Sequence, residues 1–337
     1  MILLDGRVLQ GAPSGVRDIA AGLVQGLREV EADGSIKLMI GGTSRDDRFD
    51  VRISARGFME YGLPFAAIRK RADRILVPRQ TVPIATPIPA VPLFHDIGFL
   101  QRPDLYPGAR RIATTTRIAA TRRRGLAVSE YTAAEMADRG LGHSISPLPI
   151  GAVHKVKWRP DPVDRYVLCV AAQEPHKNIP RLVEAWSRAE TEDVRLVICG
   201  RRGQDSSNID DALHRLPKPG SVEVVSALDD AAYSTLLENC WGYVQPSFYE
   251  GLCIPALDLA AAGAPVVVSS QSNLGRVFAS GPPDLLFDPS SVSSLARSLS
   301  LLVGDHAFRT ASSVFSQRTV LMTNWKTVAL TAVEGMR

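Results

Sequence analysis

The chain has 337 residues, 45% of them hydrophobic, and a formal net charge of +4 at pH 7. This length suits two domains of about 150 residues each, because one ordinary doubly wound domain is shorter. Glycine and proline are scattered rather than clustered, which excludes a fibrous or disordered chain. A net charge this small predicts no nucleic-acid partner.

Four widely spaced cysteines, Cys169, Cys199, Cys240 and Cys253, form neither a CxxC pair nor a zinc-binding spacing. Three of them stand among apolar or small residues, so we expect reduced thiols in the core of a cytoplasmic protein. Near the N-terminus, Asp5 interrupts the apolar residues before they reach signal-peptide length. No later stretch approaches about eighteen apolar residues, so neither a cleaved signal nor a membrane-spanning helix is predicted.

Short β-like runs alternate with helix-like stretches along the first half, which predicts βαβ units and a parallel sheet. The predicted strands there are 2–8, 37–40, 50–54, 74–77, 91–94 and 126–128. Helices are predicted at 16–30, near 58–71, at 108–123 and at 131–139. Ser129 has the position of a residue that caps the last of these helices.

Residues 148–162 lose this periodicity and gain proline, glycine and charge, which is typical of an interdomain linker. The alternation then starts again. The predicted strands of the second half are 166–171, 195–199, 222–225, 242–245 and 265–269, all nearly continuous apolar runs. Each half is therefore expected to form an open doubly wound sheet that binds ligands at the carboxyl ends of its strands.

The strongest functional signal is a strand, a turn and a helix that span residues 246–268. The helix begins near Pro255, and Gly263 ends it before the next strand. Glu250 therefore lies on the loop at a strand's carboxyl end, and Asp258 lies about one turn into the helix. Two acids beside a helix N-terminus, whose N–H groups can hold hydroxyl or phosphate oxygens, suit a polyhydroxylated anionic ligand.

This run resembles the signature of retaining glycosyltransferases of family 4, PSxxEGFGLPxxEAMAxGxPVV, in which two acids are separated by seven residues. Glu250 and Asp258 have the same spacing, although the second acid of the signature is a glutamate. In the family the first acid contacts hydroxyls of the donor sugar and the second contacts the ribose. The resemblance implies these roles for Glu250 and Asp258. The resemblance also implies that the next residues of this loop bind the donor: Gly251, Leu252, Cys253 and Ile254.

Cys253 stands where the family signature has its second glycine. A glycine lets backbone N–H groups approach the sugar closely, so a cysteine there can narrow the donor pocket. In the alternative, the backbone has ordinary dihedrals and the thiol packs in the core as a small hydrophobic group.

A second signal follows the predicted linker, where a buried strand ends in a short polar loop and a helix begins near Ile179. Lys177 stands at this junction, a position where phosphates bind in such folds. Family 4 enzymes carry a similar VGxxEPRKN, whose lysine neutralises the donor pyrophosphate, so the resemblance assigns Lys177 to the leaving diphosphate. His176 replaces the usual arginine. As loop residues, Lys177 and Glu250 are expected to be replaceable at little cost in stability.

In the first half, His95 follows the predicted strand 91–94, and the pair His95-Asp96 resembles the family's HD. The resemblance implies that His95 contacts the donor sugar and its surroundings; a structural histidine is the alternative. Gly15 lies between the first strand and the first helix, where a residue without a side chain lets the backbone approach a phosphate. A turn glycine is the other interpretation.

A helix-like segment rich in arginine and free of acids follows at residues 110–124. One interpretation is a solvated helix with a basic C-terminal end. The other is a patch for anionic lipid head groups or for the diphosphate of an acceptor. The arginines concerned are Arg110, Arg111, Arg117, Arg122, Arg123 and Arg124.

Together these signals predict an α/β protein of the GT-B class, with two Rossmann-like doubly wound domains that face each other across a cleft. The expected domains are residues 1–155 and 156–320, and residues 321–337 form a closing helix that returns to the N-terminal domain. The resemblance implies transfer of a hexosyl group from a nucleoside diphosphate sugar to a glycan or lipid-linked hydroxyl, with retention and without a metal.

Mannose or a deoxyhexose such as rhamnose is the sugar expected from the EPxKN-type loop, and bacterial polysaccharide assembly is the expected context. A nucleotide-sugar epimerase, or a non-catalytic partner of a transferase that binds the sugar nucleotide, remains as an alternative. A dinucleotide oxidoreductase is disfavoured because no GxGxxG follows the first strand of either half.

Overall fold

The computed structural model describes residues 1–11, 13–44, 47–106, 108–120, 124–142, 144–191, 193–226 and 228–337. The chain forms two compact units. The first contains Met1–Ile150 and Thr323–Arg337, and the second contains Gly151–Met322.

The strands of the first unit are β1 (Ile2–Asp5), β2 (Leu38–Gly42), β3 (Val51–Arg52), β4 (Arg74–Val77), β5 (Ala90–Phe94), β6 (Gly125–Ala127) and β7 (Ile145–Pro147). They form one seven-stranded sheet in the order β3-β2-β1-β4-β5-β6-β7. All neighbouring strands are parallel. The central strands are buried, as expected of continuous apolar runs covered by helices on both faces.

The helices of this unit, in chain order, are α1 (Gly15–Ala32), α2 (Leu63–Arg69), α3 (Gly98–Gln101), α4 (Ala109–Ala120) and α5 (Glu130–Asp138). Ser14 caps α1 by accepting a hydrogen bond from the Arg17 amide. Ser129 caps α5 in the same way through the Thr132 amide, which confirms the predicted cap.

The second unit repeats this design in a six-stranded parallel sheet. Its strands are β8 (Tyr166–Val170), β9 (Arg195–Cys199), β10 (Val222–Val225), β11 (Gly242–Gln245), β12 (Val266–Ser269) and β13 (Leu286–Phe287). Their spatial order is β10-β9-β8-β11-β12-β13, so the order reverses between β8 and β11. The helices are α6 (Ile179–Arg188), α7 (Ser206–His214), α8 (Asp230–Glu238), α9 (Ile254–Ala262), α10 (Asn273–Val277), α11 (Val292–Gly304) and α12 (His306–Thr319).

The C-terminal helix α13 (Trp325–Met336) belongs to the first unit, as predicted for the closing helix. It packs on α1, where Gly22 and Gly26 leave room for it. A Cβ on Gly22 would lie 2.1 Å from the Trp325 ring, and one on Gly26 would lie 2.0 Å from the Trp325 carbonyl oxygen. The two glycines therefore permit the close approach of the two helices.

The structure corrects several predicted elements. Strand β1 ends at Asp5, and residues Gly6–Gln10 form a 3₁₀ turn because the Asp5 carboxylate accepts a hydrogen bond from the Arg7 amide at 3.1 Å. The helix predicted near 58–71 is shorter, since α2 follows a π turn at Phe58–Gly62. Strands β7 and β13 were not predicted. None of the helices in the described ranges is both long and apolar enough to span a bilayer.

Candidate functional site

The two loops singled out in the second half meet at the point where the strand order of the second unit reverses. Lys177 lies on the loop after β8, and Glu250 lies on the loop after β11. Strands β8 and β11 are neighbours in the sheet. In doubly wound folds, ligands bind outside the carboxyl ends of the strands at this reversal.

Two hydrogen bonds join the two loops, and a third joins the first loop to Pro289, which follows β13. The Asn178 side-chain amide donates to the Pro246 carbonyl at 3.1 Å and to the Pro289 carbonyl at 2.9 Å. The Phe248 amide donates to the His176 carbonyl at 2.9 Å. Asn178 has a left-handed backbone (φ 59°), which asparagine tolerates better than most residues and which turns the chain into α6.

Lys177 and Glu250 form an ion pair, with the lysine Nζ 2.7 Å from Glu250 Oε1. Their side chains are only 19% and 11% exposed. Glu250 Oε1 also accepts from Ser247 Oγ at 2.7 Å and from Gln245 Nε2 at 3.1 Å. The Tyr243 hydroxyl in turn donates to the Gln245 side-chain oxygen. The glutamate is thus buried and fixed, and the expectation that it could be replaced at little cost in stability is wrong.

Burial alone would raise the pKa of Glu250, but Lys177, Ser247 and His176 together lower the pKa below its ordinary value of 4.5. The carboxylate is therefore ionised at neutral pH. The three side-chain hydrogen bonds that the described residues give to it all end on Oε1. None of these three bonds involves the other oxygen, Oε2.

The neighbouring imidazole of His176 is mostly neutral at pH 7. Burial, with a smaller contribution from Lys177, lowers its pKa to about 4. Where the family motif has a permanent cation, this chain has a neutral side chain. Lys177 therefore supplies the positive charge of this loop.

Residues Gly251, Leu252, Cys253 and Ile254 lead from Glu250 into α9, and three of them are buried while Cys253 is partly exposed. Cys253 precedes the helix with φ 65° and ψ 74°, in the left-handed region that favours glycine. The alternative of ordinary dihedrals at this position is therefore wrong. Burial raises the pKa of its thiol, and Glu250 raises it further, so the thiol is protonated at neutral pH.

Asp258 is buried, at 2% exposure, on the first turns of α9. Its Oδ1 accepts from the backbone amides of Val153 at 2.6 Å and His154 at 3.0 Å. Its Oδ2 lies 2.8 Å from Nδ1 of the half-exposed His154 side chain. Asp258 thus fixes the first residues of the second unit, a role that the sequence did not indicate.

Two predicted site residues lie in the first unit. His95 follows β5, and its Nε2 lies 3.1 Å from the Pro78 carbonyl oxygen, which follows β4. Burial lowers the pKa of His95 to about 4, so the ring is neutral at pH 7. Gly15 is the first residue of α1. Of the arginine-rich segment, Arg122 and Arg123 lie outside the described residues, while Arg117 and Arg124 are exposed.

Sequence reasoning missed Tyr243 and Gln245, the two buried residues behind Glu250. They occupy alternate positions of β11, and Ser247 continues the alternation beyond the strand. Alternate residues of a strand point to the same face. Polar side chains with this spacing at the end of an otherwise apolar buried strand were the available signal.

Comparison with known sequences identifies a family for the second unit. Residues 153–314 match the family described as Glycosyl transferases group 1. The O-antigen chain mannosyltransferase B of Escherichia coli is 27% identical over 165 residues, which cover 48% of this chain and 42% of that protein. The MMP alpha-(1->4)-mannosyltransferase of Mycolicibacterium hassiacum is 28% identical over 168 residues, 47% of this chain and 41% of that protein. The chain therefore matches less than half the length of either relative.

Comparison with solved structures extends over both units. Sucrose-phosphate synthase from Thermosynechococcus elongatus aligns with 99% of this chain and 97% of its own, with a TM-score of 0.74 and 16% identity. WaaG, a glycosyltransferase involved in lipopolysaccharide biosynthesis, aligns with 99% of both chains, with a TM-score of 0.71 and 14% identity. These low identities establish the fold alone. Residues 153–314 thus resemble the glycosyl transferases group 1, in a chain that has the GT-B fold of two Rossmann-like units.

Proposed function

We propose that the protein is a retaining glycosyltransferase that moves a hexosyl group from a nucleoside diphosphate sugar to an acceptor hydroxyl. The observation that carries the proposal is the Lys177–Glu250 ion pair at the strand reversal of the second unit. A fixed cation beside a fixed anion suits a donor that carries a diphosphate next to a sugar. The match of this unit to the glycosyl transferases group 1 supports the same assignment.

In this proposal Lys177 stabilises the negative charge that develops on the departing diphosphate. An ammonium group has three donors, so Lys177 can keep its bond to Glu250 while it meets phosphate oxygens. The ion pair is largely shielded from water, and a charge interaction strengthens as the effective dielectric falls. Because the pair is already formed, little reorganisation is needed when the donor arrives.

Glu250 orients the sugar through Oε2, since its Oε1 is engaged by Lys177, Gln245 and Ser247. Donor hydroxyls would bind this oxygen, and the backbone of residues 251–254 would line the same pocket. The transition state of glycosyl transfer is expected to resemble an oxocarbenium ion, by analogy with hydrolysis. Proton removal from the acceptor is assigned to the donor phosphate, and no metal ion is required.

The donor sugar is proposed to be mannose or a deoxyhexose such as rhamnose. Two relatives that match the second unit are named mannosyltransferases, which favours mannose over a deoxyhexose as the donor sugar. The acceptor is proposed to be a glycan or lipid-linked oligosaccharide in bacterial polysaccharide assembly at the cytoplasmic side of the membrane. The roles that the resemblance implies for His95 and Gly15, both in the first unit, stay predictions.

The test is a transfer assay over a panel of nucleoside diphosphate sugars, preceded by thermal-shift measurements, because a ligand that binds the native state raises the melting temperature. We expect one donor to raise Tm and to release free nucleoside diphosphate only when an acceptor is present, with or without EDTA. An epimerase would convert the donor without releasing the diphosphate. A non-catalytic binding protein would show the Tm shift alone. Either result would replace the proposal.

A further inference from the structure

The surface of the first unit carries three large apolar side chains on and just before α2. Tyr61 is 77% exposed, Phe65 is 65% exposed and Ile68 is 51% exposed. Their spacing of four and then three residues places them on one side of the helix, which we call the α2 face. The opposite side, with Leu63 and Ala67, is buried in the unit. The α2 face is thus a second apolar stripe that the core does not use.

Exposed cations lie on both sides of the α2 face along the chain. Arg56 precedes it, and Arg69, Lys70 and Arg71 follow it directly. Of the nearby acids, Asp73 pairs with the amino terminus of Met1. Within residues 56–71 the sequence has one acid, Glu60, and its side chain is exposed. The α2 face thus combines a row of apolar side chains with three consecutive cations. This combination suits a surface that has an anionic outer layer over an apolar layer.

We propose that the α2 face docks the first unit on an anionic lipid surface. The side chains of Phe65 and Ile68 would enter the boundary between head groups and acyl chains, and the Tyr61 ring has both an apolar body and a polar tip suited to that depth. Arg69, Lys70 and Arg71 would bind the lipid phosphates. The proposal is independent of sugar transfer, because lipid binding can be measured without donor or acceptor.

The sequence predicted a possible lipid-binding patch elsewhere, in the arginine-rich segment 110–124. Among its described residues, no large hydrophobic side chain is exposed. Charge alone binds lipid weakly and is screened by salt, whereas inserted apolar groups add binding that salt does not remove. The α2 face combines both features and is therefore the better candidate.

The experiment is sedimentation of the full chain with vesicles of equimolar phosphatidylcholine and phosphatidylglycerol, and with vesicles of phosphatidylcholine alone. The protein is expected to bind the mixed vesicles and to bind pure phosphatidylcholine more weakly. Phe65→Ser should lower the fraction bound to mixed vesicles about tenfold, because it removes one large inserted side chain. Val163→Ser is the matched control: Val163 is fully exposed in the second unit, and binding should not change.

A second variant, Lys70→Glu, tests the charges. Its binding to mixed vesicles should fall. Added salt should weaken the vesicle binding of the parent protein more than that of this variant. Both changed residues are exposed, so the circular dichroism spectrum should stay native. The proposal is overturned if the parent fails to bind mixed vesicles, or if Phe65→Ser binds as well as the parent. A concentration-dependent dimer that Phe65→Ser abolishes, without vesicle binding, would assign the α2 face to a second copy instead.

Discussion

Lys177 Nζ and Glu250 Oε1 lie 2.7 Å apart although 73 positions separate them in the chain. Adjacent strands β8 and β11 bring the two loops together, and Asn178 bridges them through the Pro246 carbonyl. Since neither charge is well exposed, each depends on the other for its stability. The proposed donor site is therefore already organised in the absence of a donor.

Tyr243→Phe is expected to reduce kcat about tenfold with a smaller change in KM. The change removes the hydroxyl that holds the Gln245 side chain, so Gln245 and the Glu250 carboxylate lose orientation. Steady-state kinetics and urea unfolding measure the two effects. The stability loss should be about 1 kcal/mol.

The matched control is Tyr166→Phe, which removes a hydroxyl that donates to the Leu236 carbonyl at 2.8 Å in the same unit. It should cause a similar stability loss and leave kcat unchanged. If both variants lower kcat equally, Tyr243 has no positioning role.

Cys253→Gly is expected to change the free energy of unfolding by less than about 1 kcal/mol. Glycine relieves the left-handed backbone at φ 65°, and this gain offsets the loss of the thiol contacts. If the cysteine narrows the donor pocket, the variant should accept a broader set of sugar nucleotides. The measurement is the ratio of kcat/KM between donors in parent and variant, and an unchanged ratio would remove the pocket hypothesis.

Asp258→Asn is expected to destabilise the protein by about 2 kcal/mol, because the buried carboxylate accepts the amides of Val153 and His154. If Asp258 also binds the donor ribose, KM for the donor should rise with little change in kcat. His154→Gln separates the two roles, since it removes only the side chain that lies against Oδ2. Lower stability with an unchanged KM in Asp258→Asn would assign a purely structural role.

Stability is expected to fall as the pH decreases from 6.5 towards 4, partly because of His95. Burial lowers the pKa of this histidine from 6.5 to about 4 in the folded state. In that window the unfolded chain binds a proton that the folded chain does not, so acidification favours unfolding. His95→Gln should weaken this dependence by about 2 kcal/mol in urea unfolding at pH 7 and pH 4.5. A curve parallel to that of the parent would show that His95 is not buried in its neutral form.

The sequence predicted the long apolar strands and the strand-to-helix junctions because each is a local pattern. The helix that starts at Ile254 and ends before Gly263 is one example, and the Ser129 cap of α5 is another. It missed β13, which is only two residues long, and β7, which contains Pro147. Such strands depend on their neighbours in the sheet rather than on their own residues.

The candidate site was predicted as separate residues but not as an arrangement. The contact between Lys177 and Glu250 depends on the spatial order of the strands, which a single sequence does not specify. The same limit applies to Asp258, whose partners Val153 and His154 lie more than a hundred positions away. For the left-handed backbone of Cys253 the signal was the glycine that the family signature has at this position, since cysteine itself has no preference for that conformation.

The most direct test of the proposed function is the transfer rate of Lys177→Met and Glu250→Gln beside a control pair, Arg188→Met and Glu184→Gln. The control residues form an exposed ion pair on α6 in the same unit. Removing the buried partners should cost about 3 kcal/mol of stability, so all variants are assayed well below their Tm. The proposed function predicts that Lys177→Met and Glu250→Gln each lose at least about a hundredfold in kcat with a native circular dichroism spectrum, and that the control variants keep the parental rate. Parental rates in either site variant would contradict it.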